Sequence, residues 1–195
     1  MKPRGFYKLA NTYPKLVRML NGKYEDTKER PIYCCIQDKR YPGIFWAIPT
    51  SDLSHRTAQQ IDRITKYTSL PERDIRSCYY HIGHTNKAAI FKVSNALPVS
   101  DKYIEDEYFS NGRHLILKDK KLVEALEKKL YRILQAEKNH PNKFEQRITD
   151  VFNYLIAENA SLQQEKKKDK VQENLDALFG VQTVRMPEED DEFCP

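Results

Sequence analysis

A chain of 195 residues suits one domain with an added subdomain or tail, and 39% hydrophobic residues suffice for a core beneath an exterior rich in charge (31%). Formal charge is +5, and setting aside the five consecutive acids Glu188 to Glu192 near the C-terminus raises the rest to +10. A basic body favours a polyanionic partner, since each neutralised phosphate releases counterions, while no run approaches the ~18 apolar residues of a membrane-spanning helix.

In chain order, Gly5 to Leu9 reads as a short strand and Thr12 to Leu20 as a helix burying Leu16, Val17 and Leu20. Asn21 to Arg30 is polar and reads as a loop. Two strands follow, Ile32 to Gln37 and Phe45 to Ile48, joined by a turn over Asp38 to Gly43 that contains Pro42 and Gly43. Thr57 to Tyr67 has helical spacing behind a Ser54 or His55 start. Ser77 to Ile82 and Ala88 to Val93 read as strands, with Asn95 to Val99 and Gly112 to Leu117 as further extended segments. Two helical stripes come next: Leu122, Leu126, Leu130, Ile133 and Leu134, then Phe144, Ile148, Val151, Phe152 and Leu155, with Pro141 between them. The expected domain covers residues 1–157, followed by a thinly apolar, charged helix over 158–180 and a disordered acidic tail over 181–195. Short strands followed by segregated helices indicate an α+β fold around a small, strongly bent antiparallel sheet.

The cysteines build no framework. Cys34 and Cys35 are adjacent in a strand and face opposite sides, Cys78 stands alone, and Cys194 lies in the tail. Neither a CxxC pair nor an HExxH motif is present, so no metal and no cofactor are expected. With no apolar leader-like run at the start, the expectation is a reduced, cytoplasmic protein.

Chemistry concentrates where the second strand meets Pro49. Phe45-Trp46-Ala47-Ile48-Pro49 runs at once into Thr50, Ser51, Asp52, Ser54, His55 and Arg56. Metal-free RNA cleavage needs a base for the 2′-hydroxyl, an acid for the 5′-leaving oxygen and donors for the phosphorane. Ser51 and Thr50 offer hydroxyls, His55 a proton shuttle, and Arg56 or Arg30 a cation. The same residues are also ordinary N-cap candidates for the helix that follows. Tyrosines such as Tyr7 and Tyr13, with His81 and the turn residues Lys39 and Arg40, complete a candidate RNA-binding set, although tyrosine on strands is equally a core residue. His81-Ile82-Gly83-His84 matches the letters of a nucleotide-binding motif of class I aminoacyl-tRNA synthetases, but it ends a strand where that motif opens a helix.

Tyr7, Tyr13, Arg30, the run Ala47-Ile48-Pro49-Thr50-Ser51 and the later Asn95-Ala96-Leu97-Pro98-Val99 together resemble type III toxin–antitoxin endoribonucleases, the ToxN, AbiQ, CptN and TenpN group, over roughly residues 5 to 157. The resemblance implies a twisted, barrel-like sheet akin to Kid/MazF toxins with flanking helices. It also implies RNA cut without metal to 2′,3′-cyclic phosphate and 5′-hydroxyl ends, and inhibition by a repeat pseudoknot antitoxin RNA in a protein–RNA hetero-oligomer with two or more protein copies. It places Thr50 and Ser51 on the family's Thr-Ser pair, Tyr13 on its early tyrosine and Arg30 on a basic position. Some relatives carry a lysine two residues after the serine, where this chain has Leu53, so the cation must come from His55, Arg56 or Arg30. Two other readings remain open at this level: a non-catalytic RNA-binding protein and a MazF-type toxin held by a protein antitoxin.

Overall fold

The structure is a computed structural model that describes residues 1–24 and 31–179. Its elements in chain order begin with β1 (Phe6–Leu9), α1 (Thr12–Met19), β2 (Ile32–Gln37), β3 (Ile44–Asp52) and α2 (Ala58–Thr68). The sheet continues through β4 (Tyr80–His84), β5 (Ala88–Lys92), β6 (Leu97–Ser100) and β7 (Ile104–Glu107), with a small hairpin of β8 (Phe109–Ser110) and β9 (Arg113–His114). Helices α3 (Lys120–Asn139) and α4 (Ile148–Phe179) complete an α+β fold. No described helix is long and apolar enough to cross a membrane.

Every strand pairing is antiparallel, in the order β4-β5-β3-β2-β1-β7, with β6 beside β3. Among the described residues no pairing joins β4 to β7, so the sheet is open and does not close into a barrel. Strand β3 is its hinge. One edge pairs with β2 from Pro49↔Ile32 to Phe45↔Gln37. The other edge pairs first with β6 (Ile44↔Ser100 to Ala47↔Leu97) and then with β5 (Thr50↔Phe91 to Asp52↔Ala89). Ile48 and Pro49 occupy the changeover, a place where a residue lacking an amide hydrogen is tolerated. The strand therefore does not end at Pro49, as its sequence suggests, but carries the polar residues on into a second ladder.

Rings of Phe6, Tyr33 and Phe91 fill the centre of the core, with centroids 5.2 Å (Phe6–Tyr33) and 5.6 Å (Tyr33–Phe91) apart. Trp46 stacks on Phe152 of α4 at 5.2 Å. Leu126, Leu130 and Ile133 of α3 are wholly buried, each contributing roughly 1.5–3 kcal/mol. Two expected strands shift in the structure. Ile75–Cys78 forms a 3-10 turn ahead of β4, and the extended 112–117 segment shortens to β9 and a bridge between Gly5 and Ile116.

One buried carboxylate fixes the α3–α4 corner. Glu137 accepts hydrogen bonds from the amides of Asn142 (2.6 Å), Lys143 (3.1 Å) and Thr149 (3.1 Å) and from the Thr149 hydroxyl (2.6 Å). Glu137→Ala leaves these donors without an acceptor and should cost about 2–4 kcal/mol, whereas Glu137→Gln, which keeps one acceptor, should cost less. Urea unfolding measures both, and an unchanged midpoint for Glu137→Ala would refute the role.

Chain contacts divide the protein into Met1–Ala157 and Glu158–Pro195. In the second unit residues 158–179 are helical, and residues 163–177 are exposed on every face.

Candidate active site

Pairing with β5 holds Thr50, Ser51 and Asp52 in a ladder rather than a turn. Helix α2 is capped further along, by Thr57. Its hydroxyl oxygen accepts from the Gln60 amide while Gln60 Oε1 accepts from the Thr57 amide, each at 3.3 Å. This reciprocal capping box satisfies the helix start and releases the Thr50–His55 stretch from the capping role its residue types suggest.

Beside this stretch lies a cavity of ≈ 360 Å³. Ser51, Asp52, His55, Arg56 and Lys87 line its polar side, and Phe6, Tyr108 and Leu115 its apolar side. Asp52 organises the polar side. Its Oδ1 accepts from the Ser54 amide (2.8 Å) and hydroxyl (2.6 Å), while Oδ2 lies 3.9 Å from both His55 Nε2 and Lys87 Nζ. The Ser54 hydroxyl, then the Ser54 amide, with smaller contributions from His55 and Lys87, hold this carboxyl below the usual carboxylate range. Asp52 is therefore an ionised group between an imidazole and an ammonium. The His55 side chain is 82% exposed and stands at the rim, within reach of a bound polymer.

Ser51 Oγ and Arg56 Nε are both inaccessible to solvent and have no hydrogen-bond partner among the described residues. A buried polar atom left unpaired costs about 1–3 kcal/mol. Two such donors on one wall constitute a preformed demand for acceptor atoms. That wall is shared with a second cavity of ≈ 280 Å³, where Ser51 and Arg56 meet Gln60, Arg63, Lys92 and Asn95. Along both cavities the described lining residues carry Arg56, Arg63, Lys87 and Lys92 against a single carboxylate, Asp52.

The residues singled out from the sequence fall into different places. Ser51, His55 and Arg56 come together. Thr50 joins them at the cavity wall, but it is 6% exposed and its hydroxyl donates to the Pro31 carbonyl at 2.8 Å, which ties β3 to the start of β2. Arg30 lies outside the described residues; its neighbour Pro31 lines the first cavity.

Tyr7 and Tyr13 are 2% and 1% exposed. The Tyr7 ring packs edge-on against His114 at 5.0 Å, and the Tyr13 hydroxyl donates to the Pro98 carbonyl, so neither presents a face for a base. Lys39 and Arg40 sit in the β2–β3 turn, at the opposite end of β3 from Ser51 and roughly 20 Å away along the strand. Arg40 is occupied there with Asp38 and the Tyr41 ring.

His81 is on the wrong face. Register aligns Thr50, Phe91 and His81 on the core side, and Ser51, Ile90 and Ile82 on the cavity side. Burial, and then the Lys129 ammonium, push the His81 imidazole down to about 4, which leaves it neutral at pH 7. Two residues on, a side chain at Gly83 would meet Leu122 of α3 at 2.7 Å. This glycine serves close strand–helix packing, not a nucleotide.

Sequence reasoning missed Lys87, Arg63, Lys92 and Tyr108. Lys87 reads as a turn residue until β3 pairs with β5. Gln60 and Arg63 were accessible in principle, being four and seven residues beyond Arg56 and so on one side of a helix. Among the described residues no group of three or more His, Cys, Asp or Glu side chains could hold a metal ion. No family model matches this chain, and no curated protein matches it.

Proposed function

We propose that this protein is a metal-independent endoribonuclease, a toxin of a type III toxin–antitoxin system acting in the cytoplasm. The observation that carries the reading is the pair of unpartnered donors, Ser51 Oγ and Arg56 Nε, beside the Asp52–His55–Lys87 group in a cationic groove. The donors fit the non-bridging oxygens of a phosphodiester, whose charge rises in the pentacovalent transition state. Asp52 orients His55, which takes the proton of the ribose 2′-hydroxyl. The 2′-oxygen then bonds to phosphorus as the bond from phosphorus to the 5′-oxygen breaks. The Lys87 ammonium faces the leaving oxygen and supplies its proton. Products are a 2′,3′-cyclic phosphate and a 5′-hydroxyl. Thr50 acts as a positioning residue through Pro31. The Kid/MazF likeness of the bent sheet, and inhibition by a repeat pseudoknot antitoxin RNA in a multi-copy complex, belong to the same proposal.

Purified full-length protein incubated with RNA in excess EDTA tests it. Expected are discrete fragments with cyclic-phosphate and 5′-hydroxyl termini. A need for added divalent metal would overturn the mechanism, and binding without cleavage would indicate an RNA-binding protein instead.

A further inference from the structure

The second cavity, between α2 and β5, has a composition unlike the first. We propose that it is a phosphate subsite that takes the backbone phosphate adjacent to the one being cleaved. The inference rests on the RNA-directed reading of the Ser51 wall.

The argument is one of hydrogen-bond polarity. Gln60 Oε1 already accepts from the Thr57 amide, which leaves its NH₂ to offer. The Asn95 oxygen is bonded to the Ser94 hydroxyl at 3.0 Å, which again leaves an NH₂. Arg56 and Arg63 are donors without acceptor capacity. Ser51 and Arg56, whose Oγ and Nε have no partner among the described residues, line the same space. No carboxylate stands among its described lining residues. A lining of donors and cations selects a ligand made of acceptors and negative charge. Every nucleobase carries at least one N–H donor on its pairing edge, and among the described lining residues that donor would find only the Ser51 and Tyr80 hydroxyls and amide oxygens that already accept a hydrogen bond. A phosphate carries acceptors alone, and guanidinium groups are suited to it.

The first cavity differs because Asp52 intrudes on it. A carboxylate there suits a phosphate undergoing proton transfer and disfavours one that is merely held. Since Ser51 and Arg56 belong to both walls, one strand can set consecutive phosphates on either side of them.

The experiment has two arms, both on the full chain and on Arg63→Gln, an exposed position whose change leaves the core intact. In the first, inorganic phosphate is titrated while backbone amide resonances are followed. Saturable shifts at Ser51, Arg56, Gln60 and Asn95 are expected, with ~10-fold weaker binding in Arg63→Gln. In the second, an RNA oligonucleotide made uncleavable by one deoxyribose at the cut site carries a single uncharged methylphosphonate at each linkage in turn. One linkage neighbouring the cut site should lose ~10-fold in affinity for the wild type and nothing further in Arg63→Gln.

Absence of saturable phosphate shifts, or shifts confined to the Asp52 and Lys87 side, would overturn the subsite. Phosphate binding without any linkage effect would overturn its role in holding RNA and assign the cavity to a free anion. Intact linkage effects in a protein that does not cut unmodified RNA would support the subsite while overturning the nuclease.

Discussion

Ser51→Ala should lower RNA cleavage ~10²–10³-fold, the cost of removing one preorganised donor to a developing oxyanion, and should leave the protein at least as stable as before. The two expectations come from the same atom. Ser51 Oγ is buried without a partner among the described residues, so removing it relieves about 1–3 kcal/mol of desolvation. A hydroxyl kept only to cap a strand end or fill space would show the opposite pattern, with stability falling and rate unchanged. His55→Ala should cost ~10²–10⁴-fold with no thermal penalty, since its side chain is 82% exposed and lies 3.9 Å from the Asp52 carboxylate. Single-turnover cleavage and thermal unfolding of both variants measure the four quantities. Wild-type rates in both would place the site elsewhere in the molecule.

Local pattern made much of this legible. The hairpin over residues 32–52 and the α3 stripe were readable because alternation and a helical period each report one face of one element. Faces could not be assigned to sides. Tyr7 and Ser51 both sit on strands, and only the pairing of β1 with β2 and of β3 with β5 determines that one enters the core and the other a cavity. The change of partner at Pro49 was hidden for the same reason, since the sequence of β3 carries no mark of which strand lies beside it. Lys39 and Arg40 joined the RNA-binding set on charge alone. A hairpin puts its turn and its open end at opposite extremes, so charge there says nothing about a groove at the other end. The sequence puts the helix start at Ser54 or His55, and the structure puts the cap at Thr57, because Ser and Thr serve alike as N-caps and Thr57 has Gln60 three residues on to reciprocate. Lys87 meets Asp52 through a ladder formed by residues nearly forty positions apart in the chain. No window of local sequence contains that contact.

A single deoxyribose at the nucleotide 5′ to the cut should abolish cleavage at that linkage while leaving binding nearly unchanged. In the proposed chemistry the nucleophile belongs to the substrate: Ser51 donates a hydrogen bond and forms no covalent bond, and His55 has nothing to deprotonate once the 2′-hydroxyl is gone. The donors Ser51 Oγ and Arg56 Nε still meet the same phosphate oxygens, so affinity should stay within about threefold, a change below 1 kcal/mol. The alternative chemistries give other results. A water molecule activated by a metal attacks phosphorus without regard to the neighbouring sugar, and a serine nucleophile would do the same and leave a protein-bound phosphate. Denaturing gels of matched all-ribo and singly substituted oligonucleotides, read beside anisotropy for binding, separate these cases. Cutting at the substituted linkage would end the transesterification mechanism. Loss of binding along with cleavage would show that the groove holds the 2′-hydroxyl as a ligand, and that Ser51 and Arg56 do not suffice to hold the phosphate.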